Sequence, residues 1–204
     1  MKRFSAIIAA LLVFVFTAFG CATMSSDSGW VTLIDNGKGI ENFNAIGDAN
    51  WRVQDGALVA DKGKGGHLVT KNSYQNFQIR AEFWAETGTN SGIFIRASNP
   101  SKIGADSAYE VNIYDLRPGQ EFATGGIVNF GRIPVPNKYQ AGGKWNTFLI
   151  TAKDTNLIVE LNGVQTVNIY DSKFASGPFS LQFGNHGKVP GGAIKWRKVQ
   201  VKPL

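Results

Sequence analysis

The segment Phe77-Gln-Ile-Arg-Ala-Glu-Phe-Trp84 decides the fold class of this chain. Apolar and polar side chains alternate from Phe77 to Phe83, so that Phe77 and Ile79 point to one side and Gln78 to the other. This two-residue period is that of a β-strand with one buried face. The segment therefore predicts a half-buried strand rather than a helix.

The same period recurs along the chain and is interrupted by dipeptides typical of tight turns, namely Asp55-Gly56, Asp154-Thr155 and Asn162-Gly163. The segments that show it are Trp51–Gln54, Ala57–Ala60, Gly92–Arg96, Tyr109–Tyr114, Asn146–Ala152, Asn156–Leu161, Val164–Tyr170, Phe179–Phe183 and Ile194–Val201. No segment after residue 28 has a convincing helical period. So many antiparallel strands bury their apolar faces only in a sandwich or a barrel, so an all-β domain is predicted.

The N-terminal residues are typical of an export signal. Two cations precede Ala6–Phe19, an apolar run shorter than the about 20 residues that a membrane-spanning helix needs. Ala18-Phe19-Gly20-Cys21 then resembles the lipobox that lipoprotein signal peptidase cleaves, although a small residue is usual where Phe19 stands. The resemblance implies that residues 1–20 are a lipoprotein signal peptide and that Cys21 is lipidated.

Residues 21–28 are predicted to form the lipidated cysteine with a flexible tether, and residues 29–204 a single domain. Cys21 is the only cysteine, so no disulfide framework is expected. Removing residues 1–20 leaves 19 cationic and 15 anionic side chains, a mild and dispersed excess that does not indicate nucleic-acid binding. The predicted location is the bacterial cell envelope, with the protein lipid-anchored. The outer membrane is favoured because Ala22 replaces the Asp associated with inner-membrane retention.

Several predicted strands carry aromatic, carboxylate, amide and guanidinium groups on the face away from the apolar residues. These residues are Arg80, Glu82, Trp84, Phe94, Arg96, Glu110, Asn112, Tyr114 and Gln182. An aromatic ring can cover the C–H face of a sugar while the polar groups bond its hydroxyls. The pattern predicts a sugar-binding face, with an ordinary solvated face as the alternative.

An ordered set of segments from about Trp30 to the C-terminus resembles the 3-keto-disaccharide hydrolase family. The segments are Trp51–Leu58, Gly65–Thr70, Tyr74–Glu82, Asn90–Arg96, Tyr109–Asp115, Gly143–Asn146, Leu161–Val164, Gly177–Gln182 and Trp196-Arg197. The resemblance implies an antiparallel two-sheet jelly-roll sandwich of the concanavalin A-like lectin and glucanase type, and hydrolysis of 3-keto-glycosides. The chain departs from the family at Asn112, where Gln is usual, at Leu181–His186, and at Arg197-Lys198-Val199.

A ketone at C3 of a sugar acidifies the C2 proton, so a base can form an enolate that expels the C1 substituent, after which water adds. Such a site needs a base and a group that stabilises the enolate oxygen. We expect Glu110 to be the base, Arg96 to stabilise the enolate and His186 to deliver a proton to the leaving oxygen. The expected substrate-binding residues are Glu82, Trp84, Asn112, Tyr114 and Gln182.

Two further residues have structural interpretations. Arg197 shares strand parity with Val199 and Val201, which predicts a buried structural arginine. His67 follows Gly65-Gly66 and is interpreted as a rim residue.

Four alternatives stay open. Glu110 and Arg96 can instead form a structural ion pair across neighbouring strands. Glu110, Asn112 and Asp115 faintly resemble the paired-carboxylate strand of laminarinase-type glucanases. The domain can also bind carbohydrate, or attach to a surface, without catalysis. No cofactor or metal site is predicted, and a structural Ca²⁺ held by loop oxygens is the remaining alternative.

The expected partners are a small oxidised sugar or glycan and, through the lipid anchor, a membrane.

Overall fold

The computed structural model describes residues 28–186, 189–190 and 192–204. The signal peptide predicted for residues 1–20 and the lipidation site predicted at Cys21 lie outside these residues. The side chain of His186 also lies outside the described part of the chain.

The described chain is built almost entirely of strands. In chain order they are β1 (Val31–Asp35), β2 (Phe43–Gly47), β3 (Arg52–Gln54), β4 (Ala57–Ala60), β5 (Gly66–Thr70), β6 (Phe77–Ala85), β7 (Ser91–Ile95), β8 (Tyr109–Ile113), β9 (Trp145–Lys153), β10 (Asn156–Leu161), β11 (Val164–Tyr170), β12 (Ser180–Phe183), β13 (Asn185–His186), β14 (Val189–Pro190) and β15 (Ile194–Pro203). The helical elements within the described ranges are two single 3-10 turns, Ile40–Asn42 and Gln120–Phe122. The all-β prediction is confirmed.

The strands form two antiparallel sheets. The larger sheet has the order β11-β10-β9-β6-β15-β4-β3, with β1 also paired to β15. The smaller sheet has the order β2-β5-β12-β7-β8, and β13 and β14 form a short ladder of their own. The predicted turns Asp55-Gly56 and Asn162-Gly163 join β3 to β4 and β10 to β11, and all four residues have positive φ, as a type I′ turn requires.

The hydrophobic core lies between the two sheets. Strand β6 alternates between buried and half-buried positions along its whole length, as its sequence predicts. Phe83 stacks on Phe148 with ring centroids 5.0 Å apart and lies 5.8 Å from the ring of Trp196. Ile93 and Leu181 of the smaller sheet belong to the same cluster. Burial of each large apolar side chain stabilises the fold by about 1.5–3 kcal/mol.

Residues 97–108 cover part of the outer face of the smaller sheet. Phe94 points away from the core and packs there with Ala97, Ala108 and Ile103. Every residue of β7 and β8 is buried, although only alternate residues face the core.

The guanidinium group of Arg96 ties the two sheets together. Arg96 follows β7, is 1% exposed and has a left-handed φ of 53°. Its Nε and Nη2 donate to the carbonyl oxygen of Gln75, before β6, at 2.9 and 2.6 Å. Its Nη1 donates to the carbonyl of Asp154, in the β9–β10 turn, at 2.8 Å and to that of Phe174 at 3.4 Å. Arg96 therefore links one end of the smaller sheet to two segments of the larger one.

None of the helical turns within the described ranges has the length and apolarity that a membrane-spanning helix needs.

We predict that Arg96→Met lowers the free energy of unfolding by about 3 kcal/mol, because three carbonyl oxygens lose the charged donor that the buried guanidinium supplies. Urea unfolding followed by tryptophan fluorescence measures the change. Arg132, exposed and 5.8 Å from the Phe122 ring, provides the control, and Arg132→Met is expected to change stability by only about 0.5 kcal/mol. Equal losses in the two variants would contradict a structural role for the Arg96 guanidinium.

Candidate functional site on the smaller sheet

Two adjacent rows of side chains cross the outer face of the smaller sheet. Strand pairing aligns Asn44, Val69, Ser180, Phe94 and Glu110 in the first row. The second row contains Ile46, His67, Gln182, Gly92 and Asn112. Their sequence neighbours, such as Leu68 and Ile93, point into the core. Segments far apart in the chain therefore contribute to one polar surface.

Glu110 is a buried carboxyl group on this surface. It is 8% exposed, and among the described residues its carboxylate accepts no hydrogen bond. Burial raises its pKa to about 7, while the charge of Arg117 acts in the opposite direction. Phe94, directly opposite on β7, helps to exclude water from it. A carboxyl group with a pKa near neutrality is suited to general acid–base chemistry.

Gly92 makes room for the Glu110 side chain. A Cβ atom at Gly92 would lie 3.4 Å from Cγ of Glu110 and 3.0 Å from the carbonyl oxygen of Val111. Asn112 lies opposite Gly92, and the Ser91 hydroxyl donates to the carbonyl oxygen of Gln182 on the other side. The absence of a side chain at Gly92 therefore leaves the space in which the Glu110 side chain lies, in the row that contains both amides.

Both amides have a buried oxygen without a partner. The Asn112 amide nitrogen donates to the carbonyl oxygen of Phe122 at 2.6 Å, but Asn112 Oδ1 has no hydrogen bond in the described structure. Gln182 Oε1 is in the same situation. An unpartnered buried oxygen is unfavourable until a donor reaches it. Sugar hydroxyls are donors of this kind.

A cleft of about 320 Å³ opens on the same surface next to His67 and Gln182, with Lys102 and Ile103 of the covering loop on its rim. His67 Nδ1 lies 3.1 Å from the hydroxyl of Ser180, and its ring packs edge-on against Phe94. Burial lowers the pKa of His67 to about 4, so the imidazole is neutral at physiological pH. His67, interpreted from the sequence as a rim residue, is half-buried and lines the cleft.

Two contributors were missed by sequence reasoning. Gly92 approaches the Glu110 side chain, and the charge of Arg117 acts on the Glu110 carboxyl group. Gly92 had a signal, since a glycine inside a strand often marks a close approach. Arg117 follows the end of β8, where strand parity gives no direction.

Arg96 is not part of this site. Its guanidinium hydrogen-bonds main-chain carbonyls at the sheet junction instead of Glu110. The assignment of Arg96 to enolate stabilisation is therefore wrong, and so is the alternative of a Glu110–Arg96 ion pair. Strand parity failed because β7 ends at Ile95 and the positive φ of Arg96 turns its side chain out of the alternation.

Glu82 and Trp84 are also absent from the site. They lie on β6, in the larger sheet, and point away from the core on the opposite side of the sandwich from Glu110. Their assignment to the same binding surface as Glu110 is wrong, because parity within a strand says nothing about which sheet the strand joins. Arg197, predicted to be buried, is exposed because a bulge between Trp196 and Lys198 shifts the alternation of β15.

The structure locates some of the remaining predicted site residues more fully than others. Asn112 and Gln182 share the surface with Glu110. Tyr114 lies just past β8, and its backbone N–H donates to the Thr124 hydroxyl. The roles of Tyr114 and His186 stay predictions.

Asp115 has a structural role. Its carboxylate accepts the backbone N–H groups of Ala141 and Gly142 and the hydroxyl of Thr124. These bonds occupy both carboxylate oxygens, which weighs against the paired-carboxylate glucanase alternative. Within the described ranges, no three His, Cys, Asp or Glu side chains come together as a group that could hold a metal ion.

A sequence profile of the 3-keto-alpha-glucoside-1,2-lyase-like domain matches residues 29–202. The chain belongs to this family. A curated relative, the 3-keto-disaccharide hydrolase of Bacteroides thetaiotaomicron, is 26% identical over a match that covers 58% of this chain and 50% of the relative. The chain thus spans about half the length of that relative. The family resemblance inferred from the sequence is confirmed.

Solved structures support the fold of the 3-keto-alpha-glucoside-1,2-lyase-like domain. A protein from Parabacteroides distasonis, described as a candidate glycosyl hydrolase, superposes with a TM-score of 0.68 at 24% identity and covers 86% of this chain and 99% of its own. A carbohydrate-binding module from Bacillus subtilis gives a TM-score of 0.57 at 13% identity, covering 85% and 95%. The predicted two-sheet jelly-roll sandwich is confirmed.

We predict that Glu110→Gln raises the melting temperature by roughly 5–10 °C at pH 8–9 and hardly changes it near pH 4. The folded-state pKa of Glu110, about 7, lies above the ordinary value of 4.5. Below pH 4.5 the carboxyl group is neutral in both states, and native stability then falls until the pH passes 7, by about 3 kcal/mol in total. Gln stays neutral and does not incur this loss.

Thermal unfolding of the wild type and the variant between pH 4 and 9 measures the difference. Glu160→Gln, at a half-buried glutamate of β10, is the matched control and is expected to follow the wild type. Parallel curves for wild type and Glu110→Gln would contradict the desolvated state of Glu110.

Proposed function

We propose that this chain binds a 3-keto-glycoside on the outer face of the smaller sheet and cleaves its glycosidic bond. Membership of the 3-keto-alpha-glucoside-1,2-lyase-like family supports the substrate class. The name of the Bacteroides thetaiotaomicron relative supports the overall hydrolysis. The buried Glu110 beside two unpartnered amide oxygens is the observation on which the proposal rests.

Glu110 is the proposed general base. A base works best when its pKa is close to the working pH, and burial brings the pKa of Glu110 to about 7. The 3-keto group makes the C2 proton acidic enough for a carboxylate to remove. Gly92, between Asn112 and Gln182, adds no side chain of its own over the carboxyl group.

In the proposed reaction Glu110 takes the C2 proton, and the C2–H electron pair forms an enolate with its charge on the C3 oxygen. The enolate collapses, the C1–O bond breaks and the leaving oxygen takes up a proton, for which His186 remains the proposed donor. The oxygen of water then adds to C1, the proton that water loses returns to His186, and Glu110 returns its proton to C2. The sum is hydrolysis with one water consumed.

Arg117 takes the place of Arg96 as the proposed cation for the enolate. It is close enough to Glu110 for its charge to lower the pKa of that carboxyl group. The amide groups of Asn112 and Gln182 are available to hold ring hydroxyls. The cleft beside His67 has room for the leaving sugar, since it measures about 320 Å³.

We expect Glu110→Gln to lower turnover of 3-keto-trehalose or a 3-keto-glucoside by about 100-fold or more, because general bases contribute typically 10²–10⁴. In the wild type, kcat/KM should rise with pH through about 7, since the ionised carboxylate is the active form. Release of free sugar measures both effects. Glu160→Gln, with its carboxylate in the larger sheet, should retain full turnover.

Two further measurements, an isotope effect and a comparison of substrates, test the proposed proton removal. Substrate deuterated at C2 should react more slowly when proton removal limits the rate, and unoxidised disaccharides should be inert. Full turnover by Glu110→Gln, or equal cleavage of unoxidised sugar, would overturn the mechanism.

The unpartnered amide oxygens also favour a second candidate, a carbohydrate-binding domain without turnover. Titration calorimetry with a 3-keto-glucoside separates the two functions. A catalyst should turn the sugar over in wild-type form and bind it without turnover as Glu110→Gln. A binding domain should bind it in both forms and turn it over in neither.

We further propose that the mature chain is a bacterial lipoprotein anchored through Cys21 in the cell envelope, with the outer membrane favoured. The apolar run Ala6–Phe19 and the lipobox-like Ala18–Cys21 support this. Cys21→Ser is expected to abolish acylation and to move the protein out of the detergent-extracted membrane fraction. Mass spectrometry of the mature N-terminus checks the result, and an unmodified N-terminus at another residue would contradict it.

A further inference from the structure

The outer face of the larger sheet combines tryptophan rings with cations. Arg80 Cζ lies 4.4 Å from the ring of Trp30, and Lys195 Nζ lies 4.5 Å from the ring of Trp84. Arg197 and Trp145 form a third pair of this kind. We call this surface the basic tryptophan face, and its residues are Trp30, Arg80, Trp84, Trp145, Lys195, Arg197, Lys198 and Lys202.

The third pair connects β9 to β15. Arg197 Cζ lies 4.4 Å from the ring of Trp145, and its Nε donates to Glu82 Oε2 at 2.7 Å. Trp145 is 39% exposed and lies directly opposite Trp84 across the sheet. Trp84 and Trp145 are therefore neighbours on this face, beside Lys195 and Arg197.

This face has an excess of positive charge. Along the outer positions of β6 and β15 there are five cations, Arg80, Lys195, Arg197, Lys198 and Lys202, and one carboxylate, Glu82. Asp35 of β1 lies opposite Lys198, and Glu160 of β10 also points out of this face. Glu82 is already paired with Arg197. The opposite surface of the sandwich contains Glu110 and the polar cleft, so the two faces are chemically distinct.

We propose that the basic tryptophan face docks the domain on a bilayer surface rich in anionic lipid headgroups. Tryptophan favours the headgroup level of a bilayer, and each Lys or Arg close to an anionic surface strengthens binding roughly fivefold. The exposed Trp145 supplies the apolar contact, and Lys195, Lys198 and Lys202 supply the attraction.

The chain enters the domain at this face. The described residues begin at Ser28, and Trp30 stacks on Arg80 two residues later. The seven residues from Cys21 to Ser28 span at most about 25 Å when fully extended. A membrane reached through Cys21 would therefore stay close to the basic tryptophan face. The docking proposal does not depend on the proposed reaction, and its test needs no lipid anchor.

The test uses the segment 28–204, because the whole core cluster lies between Leu33 and Val201. Its binding to phosphatidylcholine vesicles with 30% phosphatidylglycerol and to pure phosphatidylcholine vesicles is measured by co-sedimentation in about 0.1 M salt. We expect binding to the anionic vesicles alone. The triple variant K195Q/K198Q/K202Q should bind them about 100-fold more weakly, since three cations are lost.

The matched control is K38Q/K62Q/K138Q, which removes the same charge from exposed loops outside the face and should bind within a few fold of the wild type. Far-ultraviolet circular dichroism verifies that both variants fold. Glu110→Gln should leave vesicle binding unchanged even if it abolishes turnover. Equal losses in both triple variants, equal binding to neutral vesicles, or no vesicle binding by the wild type would each overturn the proposal.

Discussion

The fold depends on two sheets held face to face. Hydrogen bonds from the guanidinium group of Arg96 connect one sheet to the other. A charged group this deeply buried is tolerated only when its donors are satisfied. Three carbonyl oxygens from separate segments meet that need and are themselves satisfied in return. The position of β7 relative to the larger sheet follows from these bonds. So does the position of Phe94, which covers the site.

The guanidinium group of Arg96 is engaged in structural hydrogen bonds. The candidate acid–base groups are therefore other residues of the smaller sheet. Glu110 is buried in the same row as Phe94, and this burial raises the pKa of the carboxyl group towards neutrality. Gly92 leaves space for the side chain of Glu110 near two amides whose oxygens have no partner. The perturbed pKa, the unpartnered oxygens and the adjoining cleft therefore lie together on the outer face of the smaller sheet.

The two outer faces of the sandwich have similar residue patterns in the sequence but differ in burial and in side-chain contacts. Both contain aromatic, amide and charged residues at alternate strand positions. On the larger sheet the aromatic groups are tryptophans stacked against cations, and the surface is open to solvent. On the smaller sheet a loop covers Phe94, and the polar groups are buried or half-buried. Burial separates a surface suited to acid–base chemistry from one suited to contact with a charged partner.

Local sequence alone determined most of the strands and turns of this protein, although β1, β2 and β5 were not among the predicted strands. Alternation identified β6, and positive-φ turns at Asp55-Gly56 and Asn162-Gly163 were visible in the residues themselves, because both properties depend on neighbours within a few positions. Glu110, Asn112 and Gln182 were found on the correct face for the same reason. Only the tertiary structure decided that β6 joins the opposite sheet and that a bulge turns Arg197 outward. It also decided that His67 lines the cleft and that Arg117 acts on Glu110. These outcomes depend on contacts between distant segments and on the water that those contacts exclude. The local alternation of polar and apolar residues contains no information on either.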